Sequence, residues 1–554
     1  MAGLRPPEQV MRLARMGASH QTRLSFMRTL LRRMASENWR FERLRFDVDA
    51  EGYGTSVYAA HAPERTYSLV AFTQALAPEQ RTDRVIAEAW DATFNLFDGI
   101  PGDEDIARLA ENTPKQEAGR FSANELSLAR ANKSLRTYVH VVESLAAGRQ
   151  PDVDVLAEVG YLMRTTAVYG SGKFGCADRE KIADRPETRG AFQVEMLSVY
   201  LIRWLTIDMV EHVARSRGGA NAVPMDPQIK RYMGIGNSTG LGMAPFLTQH
   251  PMLVNSWVLA RESALARVRG LPVAAPEQTG ALLRLMDRVR RHLKEWNVEN
   301  EIQQARIERL RIEMADFETR LAETSGKYPW DKLYCVAEKS YSLEGQELVA
   351  SLLLEPHGVL IDDLADGMYT DGATRIYPAM TVAELRSLVE ARYGWALERD
   401  YDQPAAQKRF WYYSEDKLEP RLGEREREPG GDREMPLGVA RDVAALYGSL
   451  NGENTEASIA EFVLAHPEHR HVLRRVQLVA QYPYGEIYDS LIDDGIRPLD
   501  LLRFKLAFFG ASKFDPKSDL WTRITMFQGA PMPDEIDAAT ADDWTFPIKP
   551  EIAA

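Results

Sequence analysis

Two glycine-rich stretches hold the residues best suited to chemistry: Tyr169-Gly-Ser-Gly-Lys-Phe-Gly175 and Gly234-Ile-Gly-Asn-Ser-Thr-Gly-Leu-Gly242. Glycine lets a backbone take positive φ and come close to a ligand. Successive amides in such a turn, above all ahead of a helix, converge on one point and form an anion site. Ser171, Lys173, Asn237, Ser238 and Thr239 would add side-chain donors. The chemistry this suits is binding of a carboxylate or phosphate, or stabilisation of an oxyanion.

Between the stretches, residues Phe192 to Val213 are apolar on nearly all sides, which marks a buried helix. That helix nonetheless carries Glu195, Arg203, Asp208, Glu211 and His212, and buried charges need partners. Asp208 and His212 fall one turn apart on one face. They read as a histidine with an orienting carboxylate, with Glu195 and Tyr169 as further acid–base candidates. The competing interpretation is a set of structural ion pairs. In the charged run after Cys176, Arg179 and Arg189 would clamp a substrate carboxylate in a fork geometry, or simply face water.

Known signatures are excluded by particular residues. Gly170-Ser-Gly-Lys173 is followed by Phe174 where a phosphate-binding P-loop needs Ser or Thr. Gly234, Gly236 and Gly240 have dinucleotide-like spacing, but Gln228 to Met233 is not the buried apolar strand that fingerprint requires. Gly240-Leu-Gly-Met-Ala-Pro245 resembles the mobile catalytic loop of the fumarase and aspartase lyases. The lysine and asparagine expected after the proline are absent, with Phe246, Leu247 and Thr248 in their place, so that family is not assigned. Cys176 reads as a small buried filler. His466, His469 and His471 lack a zinc-ligand spacing, and His250 is a low-ranked base beside the second stretch. No metal or nucleotide cofactor is expected.

Arg45 to Phe72 alternates as short antiparallel strands, and Asp83 to Phe97 reads as a helix. Ser122 with Glu125 has capping-box spacing and predicts a helix over about 123–145. Helices are expected over 155–166, 191–215 and 251–268, and a long charged one over 280–323 that is either two helices or one bent helix. Leu333 to Ala337 and Phe410 to Tyr413 read as strands, Thr381 with Glu384 and Ser458 with Glu461 as helix starts, and Leu520 to Phe527 as a closing strand.

The resulting expectation is a mainly α chain with smaller antiparallel β elements, an α+β protein with a large central helical bundle. It divides into 1–150, 151–328, 329–428 and 435–554, as several domains or one large composite. The chain of 554 residues carries a net charge of −13, unevenly placed. Residues 1–45 hold ten arginines against Glu8, Glu37 and Glu42, so about +7 precedes about −20. An Arg-rich helix packed on an acidic neighbour or another subunit is favoured over a nucleic-acid arm, because the rest of the surface repels phosphate. Two cysteines suit a reducing, cytoplasmic location, and no run of about 18 apolar residues predicts a membrane span. The functional expectation is an enzyme of lyase or hydrolase type acting by acid–base chemistry on a small anionic metabolite, a homo-oligomer through the 280–323 helix. The alternative is a non-catalytic helical scaffold or regulatory protein.

Overall fold

A computed structural model describes residues 3–16, 20–80, 89–115, 122–167, 182, 184–240, 250–324, 328–368, 376–401, 410–415, 419–423, 429, 439–488, 498–518 and 521–552. Its organising element is one nine-stranded sheet, which overturns the expected central helical bundle with small separate β elements. The strands are β1 (Arg40–Val48), β2 (Gly54–His61), β3 (Thr66–Thr73), β4 (Ala92–Asp98), β5 (Glu125–Lys133), β6 (Tyr161–Thr165), β7 (Gly234–Gly240), β10 (Phe514–Ser518) and β11 (Trp521–Met526). Their order is β1-β2-β3-β4-β5-β6-β7-β11-β10. Neighbours run antiparallel except β6 and β7, which are parallel. Two further strands, β8 (Phe410–Ser414) and β9 (Glu419–Gly423), form a separate hairpin.

Sequence alternation explains the two faces of the sheet. Tyr58, Tyr67, Leu69, Phe94, Leu96 and Ala129 enter the main core. Residues one position out of phase, Val57, Val70 and Phe97, form a small cluster with Leu109 from the helix Asp103–Asn112. The main core continues through α1 (Phe26–Ser36), α2 (Leu135–Ala146), α3 (Gln193–Gly218) and α4 (Pro251–Arg269), then α5 (Pro276–Glu295), α6 (Glu301–Thr324), α7 (Trp330–Ser340) and α8 (Leu343–Leu354). A second cluster gathers α9 (Val382–Leu397), α10 (Val439–Leu450) and α11 (Arg470–Gln481).

α3 is the connection between the parallel strands β6 and β7. It lies on the sheet, with Ser198 against Ser127 of β5 at 3.0 Å and the Thr206 hydroxyl against the Met163 sulfur of β6 at 3.3 Å. The long charged stretch is two helices. Asn300 ends the break between α5 and α6 by accepting the Gln303 N–H at 3.0 Å, as an N-cap does. Residues 333–337 lie within α7, not in a strand, and residues 161–165 form β6 where a helix was expected.

The arginines of the N-terminus turn inward. Arg5 is buried and forks onto both Glu262 (2.7 Å) and Glu347 (2.6 Å). Arg23 forks onto Asp362 at 2.7 and 2.8 Å, and Arg28 onto Glu355 at 2.5 and 2.8 Å. The +7 segment is thus neutralised by acids of its own chain. Among the described residues, no helix is long and apolar enough to cross a membrane.

Candidate functional site

The first glycine-rich stretch follows the end of β6 in sequence, whereas the second begins with β7 itself, the parallel neighbour of β6, with Gly234 beside Tyr161. Asn237 is fully buried and its Nδ2 donates to the Thr165 carbonyl at 2.6 Å, fixing β7 against the end of β6. The second stretch is a strand over 234–240, not a loop. Gly234 and Gly236 are required there by close packing: a Cβ on Gly236 would stand 2.6 Å from the Tyr161 ring, and one on Gly234 would meet the Met526 carbonyl.

The other candidates disperse. Tyr169, Ser171, Lys173, Cys176 and Arg179 lie outside the described residues. Ser238 and Thr239 sit in β7 opposite Arg523 and Thr522 of β11. Arg189 is exposed, and its carbonyl accepts from Arg33 at 2.7 Å. Its neighbours Arg185 and Glu187 pin the segment to the sheet, through Asp98 (2.6 Å) and Tyr67 (2.8 Å). Glu195 is buried in the first turn of α3, whereas His212 lies seventeen positions later, roughly 25 Å along the axis. His212 Nε2 donates to the Asp49 carbonyl at 2.8 Å. Asp208 accepts from the Tyr58 hydroxyl at 2.8 Å and from Arg43 at 3.0 Å, so no Asp208–His212 couple forms. Burial is the first cause holding the Asp208 carboxyl above its ordinary range. Arg203 is satisfied by backbone alone: Met233, Lys230, Arg231, Ala530 and Pro531 carbonyls accept from it at 2.7–3.1 Å. No group of three or more metal-ligating side chains occurs among the described residues.

What the structure does assemble is a cationic cavity of about 380 Å³ at β5, β6, β11 and the start of α2. Lys133, Arg136, Arg164 and Arg523 line it, and among the described residues the lining contains no carboxylate. Arg164 is buried, and its partner across β6–β7 is Gly236. Arg523 stands on β11, on the other side of β7, so the two arginine-bearing strands are about 10 Å apart. The Nε of Arg523 is shielded from solvent and has no hydrogen-bond partner among the described residues. Asp515, its direct partner across the β10–β11 ladder, attracts it electrostatically and is also paired with Lys517 at 2.9 Å. Lys133 Nζ rests over the Tyr53 and Tyr138 rings at 5.0 and 4.9 Å. Arg136 pairs with Glu158 at 2.8 Å, but both are exposed, and such pairs contribute little.

The N-terminus of α2 adds to the field. Ser134, Leu135 and Arg136 line the cavity, and the Ser134 side chain does not cap the helix. The first amides of a helix have no intrahelical acceptor and carry the positive end of its dipole. Two other cavities differ in charge balance. One of about 860 Å³ is rich in arginine but internally paired, with Arg306 on Asp500 at 3.0 Å and Arg503 on Glu344 at 2.5 Å. One of about 390 Å³ carries Asp208, Asp534 and Glu535 against Lys230.

None of the candidate residues of the sequence is among the described residues that line this cavity, and Lys133, Arg136, Arg164 and Arg523 were not singled out. The available signal was one arginine inside each of two apolar strands, Tyr161-Leu-Met-Arg-Thr165 and Trp521-Thr-Arg-Ile-Thr-Met526, where a buried charge needs a reason. Neither known families, curated proteins nor solved structures contain a match to this chain.

Proposed function

We propose that the protein binds a small anion, a carboxylate or phosphate, in the cavity between β5, β6, β11 and the start of α2. The observation that carries this reading is Arg523: a guanidinium whose Nε is hidden from water and unpartnered among the described residues, in a cavity whose described lining holds four cations and no carboxylate. A bound anion would satisfy the unmet Nε donor of Arg523. Acid–base turnover of the lyase or hydrolase type is a further part of the proposal. Lys133 and Tyr161 are the lining groups able to exchange a proton with the ligand. A cytoplasmic setting belongs to the same proposal and is supported by the two-cysteine composition.

Isothermal titration with inorganic phosphate and citrate tests the reading. Saturable binding is expected, weakened by added salt. Arg523→Gln is expected to weaken it about tenfold or more, the cost of one charged hydrogen-bonding partner. No binding of either anion, or equal affinity in the variant, would refute the reading.

A further inference from the structure

The cavity is larger than its cations require. At roughly 30 Å³ per water-sized group, 380 Å³ holds about a dozen non-hydrogen atoms, more than twice a phosphate. The lining also includes Leu76, Leu135, Val159 and Tyr161. The apolar surface continues outside. Leu135 is 44% exposed and Val139, one turn further along the same face of α2, is 38% exposed. Neither is needed by the core, which α2 reaches through Tyr138, Val141, Val142 and Leu145. The helix therefore presents an apolar strip that begins in the lining of a cationic cavity.

Resting on the anion-binding reading above, we infer that the ligand is an amphiphilic anion. Its phosphate or carboxylate head meets Arg164, Arg523 and the first amides of α2, and its apolar chain runs along Leu135 and Val139. The head supplies charge recognition, and the chain supplies affinity in proportion to the carbons it buries.

The test is a titration series with methyl, butyl and hexyl phosphate, run at one ionic strength with each compound kept monomeric, and a parallel series of acetate, butanoate and hexanoate. Affinity is expected to rise about threefold to fourfold per methylene over the first carbons. The series with the tighter short member identifies the head. Val139→Ser is expected to lower hexyl phosphate affinity and leave methyl phosphate unchanged. Binding of methyl phosphate or acetate with no dependence on chain length overturns the amphiphile and leaves the anion reading standing. Failure of every member overturns both. A protein that sediments with anionic phospholipid vesicles yet ignores the monomeric series overturns the inference, because the recognised object is then a lipid surface.

Discussion

Replacing Arg203 tests the packing account at the point where most of it converges. The side chain is 1% exposed in the middle of α3, and its guanidinium serves five carbonyls from two segments, 230–233 and 530–531. Two effects compete. Burial penalises the charge and, as the leading cause, pulls the Arg203 pKa down to about 10. A depression of that size corresponds to about 3 kcal/mol against the charged form. Against it stand hydrogen bonds from a charged donor, each worth about 1.5–3 kcal/mol, and carbonyls that would otherwise be left without a donor. With five acceptors at 2.7–3.1 Å the bonds win, and Arg203→Met is expected to destabilise by about 3–5 kcal/mol. Arg203→Lys keeps the charge but not the fork, so it should recover less than half of that loss. The readout is amide hydrogen exchange at residues 230–233 and 528–532, accelerated by about two to three orders of magnitude if local opening follows the lost stability. Exchange and melting unchanged in both variants, or a protein stabilised by Arg203→Met, would show that the guanidinium is not what holds these segments together.

Three further outcomes follow from the same structure. Gly236→Ala places a methyl against the Tyr161 ring, where the added carbon would stand 2.6 Å away, and should cost about 1–3 kcal/mol by overpacking; a melting temperature within error of the parent would contradict it. Burial holds the His292 imidazole down to about 4, with its Nδ1 donating to the Pro547 carbonyl at 2.8 Å. The unfolded chain binds a proton that the folded chain refuses between about pH 6.5 and 4, so stability is full above that window and falls as pH drops through it. His292→Asn should show a smaller loss of melting temperature between pH 7 and pH 5 than the parent, and equal losses would refute the assignment. Arg5→Met leaves Glu262 and Glu347 buried with one partner fewer and should cost about 3–5 kcal/mol, whereas the double replacement Glu262→Gln with Arg5→Met should recover part of it; a double variant no more stable than the single one would sink the pairing account.

Local signals in the sequence survived folding when short-range chemistry decided them. Thr381 with Glu384 and Ser458 with Glu461 do form reciprocal caps, and the buried helix between the glycine stretches runs from Gln193 to Gly218. Signals failed where a distant segment decided the outcome. Ser122 does donate its amide to Glu125 at 3.0 Å, yet Glu125 opens β5, because Arg108 holds its carboxylate and β4 pairs alongside. Gly234 to Gly240 reads as a loop from composition alone. It becomes a strand because Tyr161 lies over the bare Gly236 and β11, nearly 300 residues later, pairs with it. Leu333 to Ala337 is a five-residue apolar run, too short for periodicity to separate strand from helix, and the contacts of Trp330 and Ala337 with the core settle it as helix. The cationic cavity was illegible for the same reason: Arg164 of β6 and Arg523 of β11 flank β7 only in the assembled sheet.

The most direct test of anion binding is a crystal soaked in selenate and measured above the selenium absorption edge. The account predicts an anomalous peak in the cavity, within hydrogen-bond distance of the Arg523 guanidinium and lost in Arg523→Gln crystals. Selenate found only at other surfaces, with the cavity between β6, β11 and the start of α2 empty of it, would contradict the account.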